Sequence, residues 1–159
     1  GGGPQHVGHR LVVAHQDAAT PPRREHVRST DVGILAGGRV LVAAAREDRA
    51  RAEALRARGV EVLVLPNPHG KVELPELVRE LGRRGINEVH VEAGTRLSGS
   101  LLREGCVDEL LVYLAPSLIG DTGRGMFSLP EFTDLSQKIP LSIREVSRVG
   151  EDIRIIARL

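Results

Sequence analysis

The residues best suited to chemistry lie in one short stretch, "HVEAGTRLSGSLL", which runs from His90 to Leu102. Valines alternate with His90 and Glu92, a pattern typical of a strand that directs both polar side chains to one face. Glu92 stands at the end of this predicted strand, and a turn through Gly94 leads into a predicted helix near Thr95. The sequence therefore predicts a carboxylate at the end of a strand, followed directly by the start of a helix.

The predicted start of this helix is suited to binding an anion. A helix N-terminus at the carboxyl edge of a sheet offers free N–H groups and a positive dipole end, so a phosphate or pyrophosphate would fit. Gly94 is expected to permit the tight turn, and Gly99 to let a ligand or the neighbouring backbone come close. Thr95, Ser98 and Ser100 offer hydroxyls. The glycine spacing matches neither the dinucleotide fingerprint nor a P-loop, so an ordinary turn with a Ser/Thr cap stays open as the alternative.

The remaining polar candidates have structural interpretations beside the functional ones. Glu92 could accept hydrogen bonds from a hydroxyl or amine of a ligand, and its alternative is a solvated charge at a strand end. We interpret His90 as a half-buried packing residue and Cys106 as a small packed hydrophobe without a basic neighbour. Four N-terminal histidines match no metal-ligand spacing, so we predict no metal site and favour disorder for them: His6, His9, His15 and His26.

Size and composition exclude several classes of protein. The 159 residues suit one domain, and a net charge of +1 with well-spread charges gives no electrostatic reason to expect nucleic acid. Tryptophan is absent and only one Tyr and two Phe are present, so base-stacking platforms are missing. No run approaches the roughly 20 apolar residues that span a bilayer. The single cysteine, Cys106, fits a reducing compartment, and we expect a cytoplasmic protein.

Strand and helix patterns alternate from residue 39 onward. Strands are predicted at residues 39–45, 60–66 and 86–94, and a fourth in "DELLVYLAP". Helices are predicted between them, and glycines stop these helices at Gly59, Gly85 and Gly105. Right-handed crossovers would make the sheet largely parallel.

The two ends of the chain differ from this pattern. The last two alternating runs flank a turn at Gly150 and predict an antiparallel hairpin. The fold class is therefore α/β, with a mixed, mainly parallel sheet that ends in this hairpin. Residues 1–32 form an atypical segment in which only "RLVVA" is typical of a strand, the rest being loop or disorder, and residues 33–159 form the domain proper.

The block "INEVHVEAGTRLSGSLLREGCVDELLVYLAPSLIGDTGRGMF" resembles the signature of the pyrimidine reductase domain of bacterial bifunctional riboflavin biosynthesis proteins. That signature combines a Val-Glu-x-Gly turn, a short helix, a Val-Asp-Glu strand ending in Ala-Pro, and a Gly. Upstream "GVEVLVLP" and the closing "VSRVGEDIRI" are also similar, so the resemblance covers about residues 34–159.

The resemblance implies a dihydrofolate reductase-like three-layer domain, acting as a homodimer in riboflavin biosynthesis. The implied reaction is NADPH-dependent reduction of 5-amino-6-(5-phosphoribosylamino)uracil to the ribityl form, by hydride transfer to the sugar C1. Glu92 would contact this phosphoribosyl-pyrimidine substrate. NADPH would bind the stretch that follows, namely Gly94, Thr95, Arg96, Leu97, Ser98, Gly99 and Ser100.

Two features depart from that family. Residues 1–32 do not reproduce its opening strand with a Lys and a Ser-Leu-Asp-Gly turn, nor the arginine-bearing helix that helps to hold the substrate. The alternative to an active reductase is therefore a catalytically inactive truncated fragment that keeps the fold core and an oligomer surface. The bifunctional proteins also carry a zinc deaminase with a Pro-Cys-x-x-Cys motif, and a single cysteine excludes that activity here.

Overall fold

A computed structural model describes residues 10–13, 39–120, 123 and 125–159 of the chain. It divides the chain into two compact units between Val89 and His90, a boundary inside the range predicted as one domain. Across these described ranges, no helix is both long and apolar enough to cross a membrane. Apart from residues 10–13, the N-terminal segment lies outside the described residues. The loop or disorder predicted for it therefore lies outside them too.

The first unit contains a parallel three-stranded sheet in the order β1-β2-β3. Its strands are β1 (Arg10–Val13), β2 (Val40–Ala44) and β3 (Glu61–Val64). Val42 of β2 lies opposite Val12 on one side and Val62 on the other. These β-branched residues favour the strand conformation, and the structure confirms the strands predicted in "RLVVA", residues 39–45 and residues 60–66.

Two amphipathic helices complete this unit. The first, α1 (Arg49–Arg56), begins at the N-cap Asp48, whose carboxylate accepts a hydrogen bond of 3.1 Å from the backbone N–H of Arg51. The second, α2 (Leu74–Arg83), has a proline in its first turn, where the missing N–H costs nothing. The apolar face of α2 is buried, and so is the centre of the sheet. The buried apolar residues that form the core of the unit are Val40, Ala43, Ala52, Val60, Val72, Leu74, Leu77 and Leu81.

The prediction of a strand at residues 86–94 is wrong. No sheet hydrogen bonding of these residues is present among the described residues, and they are neither strand nor helix. Val89 and Val91, which the alternation placed together on one face, are both exposed, at 36% and 44%. A period of two favours extended backbone, but a strand also requires a partner, and the sequence pattern does not supply one.

The second unit begins with α3 (Thr95–Arg103) and ends in an antiparallel sheet of order β4-β6-β5. The strands are β4 (Glu109–Leu114), β5 (Ser142–Val149) and β6 (Asp152–Arg158). Gly150, with φ of +63°, makes the turn between β5 and β6, which confirms the predicted hairpin. β4 was expected to continue the parallel run, but it pairs antiparallel with β6 instead.

A long connection joins β4 to β5. It contains a short 3-10 helix, Leu135–Gln137, which Asp134 caps through a hydrogen bond of 2.7 Å from the N–H of Ser136. Hydrogen bonding from the side chain of Ser136, and then from its backbone N–H, lowers the pKa of Asp134, because the charged carboxylate is the better acceptor. Ser128 of this connection lies against α3, and we call residues 125–130 around it the Ser128 segment.

Candidate cofactor and substrate site

Glu92 lies in the extended segment just before α3, and its side chain is 77% exposed. The side chain of His90 is 65% exposed and lies on the same side, with 3.8 Å between its Nε2 and Oε1 of Glu92. An ion pair so exposed contributes little, even when the histidine is protonated. The half-buried position predicted for His90 is wrong, because the segment is not part of a sheet. Glu92 is accessible to a ligand.

The start of α3 is open. Gly94 is its N-cap, and no side chain caps the helix within the part of the chain that the structure describes. The alternative of a Ser/Thr cap is therefore not found. The hydroxyl of Ser98 donates to the carbonyl oxygen of Ala93 at 3.5 Å, the long limit for a hydrogen bond. The N–H groups of the first helical turn have no acceptor inside the helix, and the positive end of the dipole lies beside them.

Gly94 is not needed for the turn that precedes α3. Its φ of −73° and ψ of 166° are open to any residue, and an added Cβ would meet no atom of the described residues within 4 Å. The expectation that this glycine permits a tight turn is therefore wrong. The space beside it remains open on the side where a side chain would stand.

Gly99 is buried against the backbone of the Ser128 segment. A Cβ placed on Gly99 would clash with the carbonyl oxygen of Ser128 and lie 2.8 Å from its carbonyl carbon, closer than real Cβ contacts come; it would also lie 3.0 Å from the nitrogen of Ser128. The sequence left open whether a ligand or neighbouring backbone approaches this glycine. In the structure it is the backbone.

Two further residues hold the Ser128 segment to α3. The N–H of Ser128 donates to the carbonyl oxygen of Thr95 at 2.9 Å. Arg103 donates through Nη1 to the carbonyl oxygen of Ser128 at 2.8 Å, and through Nη2 to the hydroxyl of Ser100 at 2.9 Å. The hydroxyl of Ser100 thus already accepts one hydrogen bond from within the protein.

The seven residues predicted to bind a cofactor lie together, in the N-cap and the first two turns of α3. Gly94 and Arg96 are exposed, and Gly99 is buried. The other four are partly exposed: Thr95, Leu97, Ser98 and Ser100. The sequence reasoning did not single out Arg103 or Ser128. Arg103 could have been noticed at helical spacing from Ser100, but the contact with Ser128 spans 25 residues and has no local signal.

A separate surface depression of about 520 Å³ lies at the end of β4. Its lining includes Leu114, Pro116, Val146 and Ile153, and none of the predicted site residues contributes to it. Among the described residues there is no group of three potential metal ligands.

The chain belongs to the family described as "RibD C-terminal domain", whose profile matches residues 3–155. It is 34% identical to the riboflavin biosynthesis protein RibD of Escherichia coli over 145 residues, which are 91% of this chain and 36% of that protein. It is also 34% identical over 86 residues to the 5-amino-6-(5-phosphoribosylamino)uracil reductase of Buchnera aphidicola subsp. Acyrthosiphon pisum, covering 54% of this chain and 42% of that one. The chain thus spans less than half the length of these curated relatives.

A solved structure, form 1 of RibD from Acinetobacter baumannii, resembles the chain with a TM-score of 0.70 at 24% identity. The match covers 94% of this chain and 36% of the other. At that identity the likeness shows the fold, and it confirms the predicted α/β, dihydrofolate reductase-like class.

Proposed function

We propose that this chain is an NADPH-dependent reductase domain that acts in riboflavin biosynthesis. Its substrate would be 5-amino-6-(5-phosphoribosylamino)uracil, which it would reduce to the ribityl form. Membership of the family supports this proposal, as does the name of the Buchnera relative. The observation that carries it is the uncapped start of α3 directly after the exposed Glu92, within the family match.

The residues at this helix start fit an anionic dinucleotide. The first-turn N–H groups of α3 and the hydroxyl of Ser98 would donate to pyrophosphate oxygens, and the helix dipole favours their charge. The open space beside Gly94 lets such a group approach the backbone. When bound, NADPH would supply the hydride that reduces the sugar carbon.

Glu92 would bind the pyrimidine substrate. Its carboxylate is exposed and the only ion-pair partner within 4 Å that the described residues offer it is the His90 imidazole, so its oxygens can accept hydrogen bonds from a hydroxyl or amine. The protein would mainly orient substrate against cofactor and exclude water, without a covalent nucleophile. Cys106 fits this picture, because it is partly buried and its thiol lies 3.5 Å from the carbonyl oxygen of Glu104.

A titration with NADPH, followed by nicotinamide fluorescence, tests the proposal, and NADH in a parallel titration tests the preference between the cofactors. We expect saturable NADPH binding and NADPH-dependent turnover of the aminouracil. A folded protein that binds no NADPH at high micromolar concentration would refute the catalytic proposal. Binding without turnover would favour the alternative, an inactive fragment that retains the fold.

The proposal includes a homodimer in the cytoplasm. Opposite residues of antiparallel strands share a face, and one face of the β4-β6-β5 sheet is largely apolar. Four of its residues are 42–63% exposed: Leu114, Ile143, Val146 and Ile153. A second copy of the chain would cover such a self-complementary surface. Light scattering should show a dimer that Val146→Glu dissociates, whereas Val78→Glu, at an exposed valine of α2, should leave it intact.

A further inference from the structure

Both backbone polar groups of Ser128 are bonded to α3, one to each end of the helix. Its N–H donates to Thr95, the first residue of α3, and its carbonyl oxygen accepts from Arg103, the last. Helical side chains lean toward the N-terminus, so the long Arg103 side chain reaches back along the helix. Gly99 lies between these two anchors, and the absence of its side chain leaves the space that the backbone of Ser128 occupies.

The hydrogen bonds of Arg103 need its forked guanidinium. One nitrogen donates to the Ser128 carbonyl at 2.8 Å while the other donates to the Ser100 hydroxyl at 2.9 Å. A lysine carries the charge but lacks the planar fork, so it cannot hold both acceptors in the same geometry. Ser100 therefore fixes the direction of Arg103, and Arg103 fixes the Ser128 segment.

The Ser128 segment is linked in turn to the first turn of α3. Because the N–H of Ser128 is bonded to the Thr95 carbonyl, a displacement of the segment acts on the residue at which the helix begins. The N–H groups that would receive the phosphates belong to this same turn. Small displacements of binding groups weaken a site, because preorganised donors lose their alignment.

We propose that Arg103 is a positioning residue of the cofactor site, which it serves by holding the Ser128 segment against α3. This inference rests on the proposed function, because it assumes that the dinucleotide binds at the start of α3. In this role Arg103 would act through the Ser128 segment and not by contact with the cofactor. Gly99 and Ser100 have the same supporting role, Gly99 by receiving the segment and Ser100 by orienting the arginine.

The test compares NADPH titrations of the wild-type protein, Arg103→Ala, Arg103→Lys and the control Arg144→Ala. Arg144 is an exposed arginine of β5 for which the described residues provide no hydrogen-bond or ion-pair partner. We expect Arg103→Ala to raise the Kd for NADPH about three- to tenfold, since two charge-assisted hydrogen bonds are lost. Arg103→Lys should lie between wild type and Arg103→Ala, and the control should match wild type.

The number of binding sites separates positioning from a purely structural role. Loss of folded protein would lower the fraction of molecules that bind while leaving the Kd unchanged, whereas loss of positioning raises the Kd at full occupancy. Amide hydrogen exchange adds a second measurement, because the N–H of Ser128 should exchange faster in Arg103→Ala. Unchanged exchange at Ser128 would overturn the inference.

The outcomes also separate this inference from the proposed function. A wild-type protein that binds NADPH, with an Arg103→Ala variant of equal affinity, overturns the positioning role and leaves the reductase proposal intact. A folded wild-type protein that binds no NADPH overturns both.

Discussion

Substitution of Gly99 by alanine should destabilise the protein, although alanine is the better helix former. Away from any contact, the exchange of a helical glycine for alanine gains about 0.5–1 kcal/mol. At Gly99 the new methyl group would collide with the backbone of Ser128, which cannot rotate away as the tip of a flexible side chain would. Overpacking of this kind costs about 1–3 kcal/mol. Displacement of Ser128 would also strain its hydrogen bonds to Thr95 and Arg103, worth about 0.5–1.5 kcal/mol each.

The net effect of Gly99→Ala is a loss of about 1–3 kcal/mol in the free energy of unfolding. Gly82 provides the matched control, because it is a helical glycine of α2 with no atom within 4 Å of an added Cβ. Gly82→Ala should stabilise by about 0.5–1 kcal/mol, so the two variants should differ by about 1.5–4 kcal/mol.

Urea denaturation followed by far-ultraviolet circular dichroism measures both changes. Hydrogen exchange at the amides of α2 and α3 assigns each change to its own unit. If Gly99→Ala were as stable as Gly82→Ala, the contact between Gly99 and Ser128 described above would be refuted.

Three further predictions concern other residues. Glu92→Gln should raise the KM for the aminouracil about tenfold or more and leave the Kd for NADPH unchanged; an unchanged KM would contradict the proposed contact of Glu92 with the substrate. Asp48→Ala should lower the free energy of unfolding by about 1 kcal/mol through loss of the α1 cap, and Asp48→Asn should restore most of it. Hydrogen bonds from Arg84, and then Arg83, lower the pKa of Glu80 below its ordinary value of 4.5. The resulting stabilisation is present above that value and is lost as the pH falls through the lowered pKa. In Glu80→Gln the free energy of unfolding should therefore fall less steeply with decreasing pH in the acid range, and an equally steep fall would contradict this account.

The elements that the sequence predicted well have local causes. α1 follows an N-cap aspartate, α2 has a proline in its first turn, and the glycines after the three helices all have positive φ: Gly59, Gly85 and Gly105. The β5-β6 hairpin is equally local, because Gly150 sets the turn and the alternating runs on either side set the register. Each of these features can be identified within about a dozen neighbouring residues.

The errors concern pairing, which is not local. The sequence suggested one sheet in which residues 86–94 and β4 continue the parallel run, whereas β4 pairs with β6, whose residues lie 39 to 49 positions further along the chain than their partners. An apolar alternation indicates that a segment is extended, but it does not specify which strand lies beside it, or whether one does. Glu92 and the residues of α3 could still be placed correctly in relation to each other, because a helix start and the residue before it depend only on local sequence.

The glycines of the candidate site show why its details could not be predicted from the sequence. A ligand and a neighbouring backbone both require a position without a side chain, so the sequence cannot distinguish them at Gly99. With the backbone of Ser128 on that side, a dinucleotide lying along this flank of α3 would have to displace two hydrogen bonds of Ser128. At the N-terminal end of α3 the described residues form no such obstacle, since Gly94 is exposed and none of their atoms lies within 4 Å of a Cβ added there. The phosphates of the proposed NADPH should therefore meet α3 at its N-terminal end, where the first-turn N–H groups and the dipole act in the same direction.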